Sequence, residues 1–147
     1  IVGSARIPGE RAKISLMSLH PNIDAVGATV GTRGVRINAV SKELSDENID
    51  CIEYSNIPEI FIARALSPAI ISNVKIQNGK AIVTLPSDQK SKAIGKSGIN
   101  IRLTSMLSGF EIELVESGGA AVNADDSTKD DQPSRDPNAL KNLFGGL

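Results

Sequence analysis

Two short segments carry residue types suited to holding a phosphate: Gly31-Thr32-Arg33-Gly34 and Gly95-Lys96-Ser97-Gly98. Both have the form G-x-x-G with one basic residue inside. Glycine lets the main chain turn sharply, and its missing side chain lets a sugar-phosphate strand come close to the backbone. Each segment stands where a helix is expected to begin, so free N–H groups and the helix dipole favour an anion there. Arg33 and Lys96 add positive charge at the same places. A single G-x-x-G occurs in many turns. Two of them, each preceded by Val or Ile and each between expected helices, form a far more specific pattern.

No competing chemistry has a full set of residues. Gly95-Lys96-Ser97 looks like the end of a P-loop, but Lys90 stands where that motif needs glycine. His20, before Pro21, has no carboxylate and nucleophile that can be placed around it, and reads as a solvated loop residue. Cys51, the single cysteine, reads as a small core residue. With one Cys and one His there is no spaced set for zinc. Neither an enzyme, a metal site nor a cofactor is expected.

At 147 residues, 40% hydrophobic and 22% charged, the chain suits one globular domain or two small ones. No apolar run approaches the roughly eighteen residues of a membrane span, so no membrane contact is expected and the cytoplasm is the expected compartment. The chain opens on Ile1, and is expected to be a piece of something longer. The net charge of −1 hides its distribution: Asp88 to Arg102 holds Lys90, Lys92, Lys96 and Arg102 against one acid, while Glu43, Asp46, Glu47, Asp50 and Glu53 cluster elsewhere.

The elements that must position the two loops repeat. A shift of 64 residues places Asp24 on Asp88, Val30 on Ile94, Gly31 on Gly95, Gly34 on Gly98, Val35 on Ile99 and Ile37 on Ile101; after a one-residue slip, Ile49-Asp50 falls on Ile112-Glu113. In the second copy Pro58 opens a helix with an apolar stripe of Ile57, Ile60, Phe61 and Ala65. Ser72 to Gln77, an Asn78-Gly79 turn and Ala81 to Leu85 read as a β-hairpin. Ser87 then caps a helix to about Ile94, and a second helix follows Gly98 with Ile99, Leu103, Met106 and Leu107 inward. Gly109 stops it and Phe110 to Val115 is a last strand, giving the order αββααβ. The first copy has its hairpin in Gly3 to Leu16, helices over Asp24 to Val30 and Gly34 to Leu44, and a strand over Ile49 to Tyr54, but lacks the leading helix. Residues 118–147 turn to small residues and Asp125, Asp126, Asp130 and Asp131, and read as an acidic disordered tail, with Leu140, Leu143 and Phe144 at helical spacing near its end.

A helix, G-x-x-G, helix unit on a small sheet resembles the KH domain in its type II, bacterial strand order. The fold class expected is therefore α+β: a first KH domain at 1–55 without its leading helix, a second at 56–117, and the tail. Pro8-Gly9-Glu10-Arg11, Pro21-Asn22-Ile23-Asp24 leading to Val26-Gly27-Ala28, and Ala93-Ile94-Gly95-Lys96 with Asn100, Arg102 and Leu103 look like the NusA family of transcription factors. The likeness covers residues 1 to about 116. It implies a rigidly packed pair that binds nascent single-stranded RNA in pausing, termination and antitermination, each loop clamping the backbone of about four nucleotides beside an aliphatic groove. It also implies that the full-length protein meets RNA polymerase and other transcription factors; a monomer is expected. The RNA-binding residues expected are Gly31, Thr32, Arg33, Gly34, Arg36, Gly95, Lys96, Ser97, Gly98, Asn100 and Arg102.

The family usually has a polar residue, often Gln, where Ile99 stands, and often Ser where Val35 stands; the polar RNA contacts implied there are not expected here. Candidate groove walls are Val30, Val35, Ile37, Ile94, Ile99 and Ile101. The 3% aromatic content suits an aliphatic groove better than the base-stacking surface of an RRM or an oligonucleotide-binding barrel. The rival reading is a protein-interaction scaffold in which degenerate KH folds dock on polymerase or another factor. Four retained glycines and two basic loop residues favour RNA.

Overall fold

The structure, a computed structural model, describes residues 1–117. The expected tail, including the spaced apolar residues near its end, lies outside the described residues. The chain runs β1 (Gly3–Ile7), β2 (Arg11–Leu16), α1 (Ala25–Val30), α2 (Val35–Glu43), β3 (Asn48–Glu53), α3 (Pro58–Ala65), β4 (Asn73–Gln77), β5 (Lys80–Pro86), α4 (Lys90–Ile94), α5 (Ile99–Ser108) and β6 (Glu111–Ser117), with short 3-10 turns at Thr32–Gly34, Ser87–Gln89 and Lys96–Gly98. There are two three-stranded sheets, β1-β2-β3 and β4-β5-β6. In each, an antiparallel hairpin is joined by a third strand parallel to its second, with Ala12 opposite Ile49 in one and Ala81 opposite Ile112 in the other.

Local chemistry accounts for the element ends. Asn78 and Gly79 both take positive φ, 51° and 76°, as a two-residue hairpin turn requires. Gly109 ends α5 in the left-handed region at φ 78°, where a side chain would be strained. Asp24 accepts from the Gly27 N–H at 3.1 Å and caps α1. Ser87 does not do the same for α4. It lies inside a 3-10 turn, and the helix that begins three residues later has no side-chain cap.

The second unit has the fuller core. Ile62, Leu66, Ala81, Val83, Leu85 and Ala93 are closed from solvent with Ile76, Phe110, Ile112 and Leu114 packed against them. Each fully buried Ile, Leu or Val there contributes roughly 1.5–3 kcal/mol of transfer free energy. The inward stripe of α3 differs from the expected one: Ile57 and Ile60 are 49% and 41% exposed, whereas Ile62 is sealed. The reason is that α3 is covered on two sides. Ile62 and Leu66 join the second sheet's core, while Phe61 and Ala65 join a separate cluster with Ile52, Tyr54 and Leu107. Met106, expected inward on α5, is 55% exposed.

That separate cluster is the seam between the units. Ala12 and Leu16 face the first unit's own interior, yet Lys13 and Ser15, pointing the other way, are equally buried. An alternating strand ordinarily turns such residues to water. Here α5 packs against β2, and the Lys13 ammonium donates to Asp50 Oδ2 at 2.7 Å within the first unit and to the Ser67 carbonyl at 3.0 Å across the seam. The first unit is thinner. Val40 is 48% exposed, although Thr104, its counterpart one repeat on, is sealed against α3 by a hydrogen bond to the Ala65 carbonyl.

Candidate nucleic-acid interface

The two G-x-x-G loops adopt one backbone. Gly31 and Gly95 have φ/ψ of 79°/171° and 77°/171°, a region open essentially to glycine alone. Gly34 and Gly98, at 75°/16° and 72°/14°, lie in the left-handed region. Between them Arg33 and Ser97 also take positive φ, 55° and 57°, a conformation uncommon for residues with a side chain. The third residue is thereby turned outward in both loops, and Thr32, Arg33, Lys96 and Ser97 are all exposed.

Main-chain bonding closes each loop from behind. Gly34 N–H donates to the Gly31 carbonyl and Gly98 N–H to the Gly95 carbonyl, at 3.0 and 3.1 Å. Among the described residues the N–H groups of Thr32, Arg33, Lys96 and Ser97 find no partner. Each loop thus presents free donors and a cation before a helix start, a receptor for an anionic backbone.

A brace holds each loop, and it is built from residues expected to touch RNA. Arg36 donates from Nη1 to the Ala28 carbonyl at 2.8 Å. Asn100, one repeat on, donates from Nδ2 to the carbonyls of Lys92, Ala93 and Leu66 at 3.3, 3.0 and 3.1 Å. These side chains cross so close to the first glycine that a Cβ on Gly31 would come within 2.8 Å of Arg36 Cγ, and one on Gly95 within 2.7 Å of Asn100 Cβ. Asn100, expected to contact RNA, is 1% exposed; its Nδ2 is spent on the main chain and its Oδ1 is buried without a partner. Arg36 remains exposed while bracing, and Arg102 is exposed.

Of the candidate groove walls, Val35 is 64% exposed and the other five are half-buried. Val35 lines an open hollow of about 490 Å³ with Thr32, Arg33, Asn38, Ala39 and Lys42 beside the first loop. Beside the second loop the neighbours come from the other unit. Gly95, Lys96, Ile99 and Asn100 share a cleft of about 100 Å³ with Glu10, Arg11 and Asn48. Sequence reasoning missed those three, because only the packing of the units brings them there.

The first unit carries charged clusters, one of which reaches across the seam through Lys13. Arg11 grips Asp50 through Nε and Nη2 at 2.8 and 3.0 Å, and Lys13 binds the same carboxylate. Burial pushes Asp50 upward, but hydrogen bonds and charge from Arg11 and Lys13 outweigh it and hold the group below its ordinary value. Burial likewise pushes Lys13 below its usual range, against the pull of Asp50. Arg6 grips Glu47, also lowering its pKa, and Glu47 accepts from the Gly9 N–H. His20 lies in an exposed loop away from these groups, and Cys51 is half-buried, where burial raises its thiol.

Two helix, G-x-x-G, helix units, each on a hairpin with a parallel third strand, define a tandem KH protein of type II order. Residues 1–54 match the family description "NusA-like first KH domain" and residues 58–122 "NusA-like second KH domain". A transcription termination/antitermination protein NusA from Helicobacter pylori is 44% identical over 98% of this chain and 42% of its own length. The proteins of that name from Thermus thermophilus and Bacillus subtilis are 45% and 40% identical, over 76% and 75% of this chain and 30% of each relative. A crystal structure of APE1850 superposes with a TM-score of 0.50 at 26% identity, covering 72% of this chain and 78% of that one. The chain belongs to the NusA family, as its tandem KH segment. It spans less than half the length of these relatives.

Proposed function

We propose that this segment binds single-stranded RNA, each loop clamping a stretch of backbone, as the RNA-contacting part of a transcription termination and antitermination factor. The observation that carries the reading is the pair of loops with one backbone geometry, each offering unpaired N–H groups and a basic side chain to solvent. Thr32, Arg33, Lys96 and Ser97 hold phosphates, Arg102 adds charge, and the four glycines allow close approach. Arg36 braces its loop and faces the strand with its remaining N–H groups. The half-buried aliphatic residues flank the bases. This is a binding module, not an enzyme. In the longer protein the RNA is the nascent transcript, its effects extend to pausing, and polymerase and other factors are met through regions beyond this chain, in the cytoplasm.

Titration of the chain with an unstructured oligonucleotide and with a duplex of the same length tests the reading. A clamp needs an unpaired strand, so the duplex binds much more weakly. Equal affinity for both would mean that general charge attraction, not the loops, governs binding.

A further inference from the structure

The cleft beside the second loop has a chemistry the phosphate-clamp reading does not use. From the second unit it is lined by the loop residues Gly95 and Lys96 and by Ile99 and Asn100. Its opposite wall comes from the first unit: Glu10 from the β1–β2 turn, Arg11 at the start of β2 and Asn48 at the start of β3. Glu10 and Asn48 are exposed, and the Asn48 N–H donates to the Glu10 carbonyl at 3.2 Å, which fixes the two backbones side by side.

A carboxylate beside a phosphate-holding loop repels phosphate. Glu10 makes no ion pair that would neutralise it among the described residues. It therefore suits a neutral group rich in donors. The wall behind agrees: Asn100 lines the same cleft, is 1% exposed, and its Oδ1 is buried with no hydrogen-bond partner. Buried acceptors left without a donor are uncommon in folded proteins. Glu10 and Asn100 Oδ1 as acceptors thus line one cleft with the Asn48 amide and the Lys96 cation as donors, while the Arg11 guanidinium in the same lining is held by Asp50. At about 100 Å³ the space admits the edge of a nucleobase and not the whole ring system.

We infer that the seam cleft reads one base of the bound strand, and that the base is guanine. Its Watson–Crick edge offers N1–H and N2–H to a carboxylate in parallel, and O6 to an adjacent amide or ammonium group. Adenine and cytosine each offer one amino donor beside an acceptor, and uracil offers a single N–H. The nucleotide held at the second loop is thus read by the first unit, with Glu10 and Asn48 as specificity-determining residues. The two units form one composite site rather than two independent clamps.

This inference rests on the RNA-clamp reading, and the test separates the two. Uridine-rich oligonucleotides carrying a single guanine, inosine or adenine at successive positions are titrated into the full chain, into Glu10→Gln, into Asn48→Ala and into the Lys96→Asp/Ser97→Asp double variant. In the wild type one position shows guanine binding about tenfold tighter than adenine, with inosine, which lacks the N2 amino group, between them. In Glu10→Gln and Asn48→Ala that ratio falls towards one. The ratio is read within each variant, so a change in overall affinity does not enter it, and circular dichroism confirms folding. The Lys96/Ser97 variant loses affinity for every oligonucleotide. Binding by the wild type without a guanine preference, or a preference that survives both wall variants, overturns the cleft assignment and leaves the clamp standing. No binding to any oligonucleotide overturns both.

Discussion

The first glycine of each loop does two things that a sequence pattern does not distinguish. It holds a backbone conformation closed to other residues, and it makes room for the side chain that braces the loop. Gly98, the fourth residue of the second loop, only adopts a left-handed conformation, with open space where a Cβ would stand, whereas a Cβ on Gly34 would meet Asn38 Nδ2 at 3.3 Å. Gly95→Ala is accordingly expected to cost about 3 kcal/mol or more and Gly98→Ala nearer 1 kcal/mol. Urea denaturation of both variants measures this, and equal losses would contradict the stated role of Asn100. The G-x-x-G spacing was legible in the sequence, as was the basic residue in each loop. The role of Asn100 was not: an Asn one position inside a helix gives the same sequence signal whether it faces a ligand or three carbonyls.

At the scale of elements, strand and helix positions followed from periodicity and turn chemistry, because Asn78-Gly79, Gly109 and the alternating strands act locally. The inward faces of α3 and α5 did not follow, since each helix is covered from two directions and no single stripe describes it. Asn100 ties the α4 end to the α3 end, and Thr104 ties α5 to α3 through the Ala65 carbonyl. Asn100→Ala removes the contacts of Nδ2 with the Lys92, Ala93 and Leu66 carbonyls, of which Leu66 keeps the Ala69 N–H, at an expected cost of roughly 1–3 kcal/mol. The second loop should loosen with it, giving faster amide exchange across residues 95–98 than in the wild type. Unchanged exchange would mean that the loop holds its shape without the brace.

At the scale of the molecule, the seam makes the orientation of the loops a property of both units. Lys13, whose position in an alternating strand gave it to solvent, is sealed between them. Only Ser55, Asn56 and Ile57 separate β3 from Pro58. We therefore expect one cooperative calorimetric transition for residues 1–117; two well-separated transitions would show the seam to be weak. Two carboxylates of the first unit, Asp50 and Glu47, also set a pH dependence. Asp50 and Glu47 titrate below ordinary carboxylates when folded, so the unfolded chain takes up protons first. The stability they contribute is present above about pH 4 and drains away as the pH falls through the folded values. The unfolding midpoint should drop accordingly in acid, and less steeply in Asp50→Asn.

The proposed clamp belongs to the whole molecule, because it uses the loops of both units. With about four to six phosphates neutralised, log affinity should fall against log salt with a slope of roughly −3 to −4. The most direct measurement is a titration with single-stranded RNA of the wild type, Lys96→Asp/Ser97→Asp and Thr32→Asp/Arg33→Asp. These changes place acids at the loops without touching a glycine or the core, and circular dichroism confirms that each variant is folded. The expected result is a loss of about a hundredfold or more in each variant, with a shallower salt slope. If both folded variants bind RNA as the wild type does, the loops do not hold its backbone, and the scaffold reading replaces the clamp.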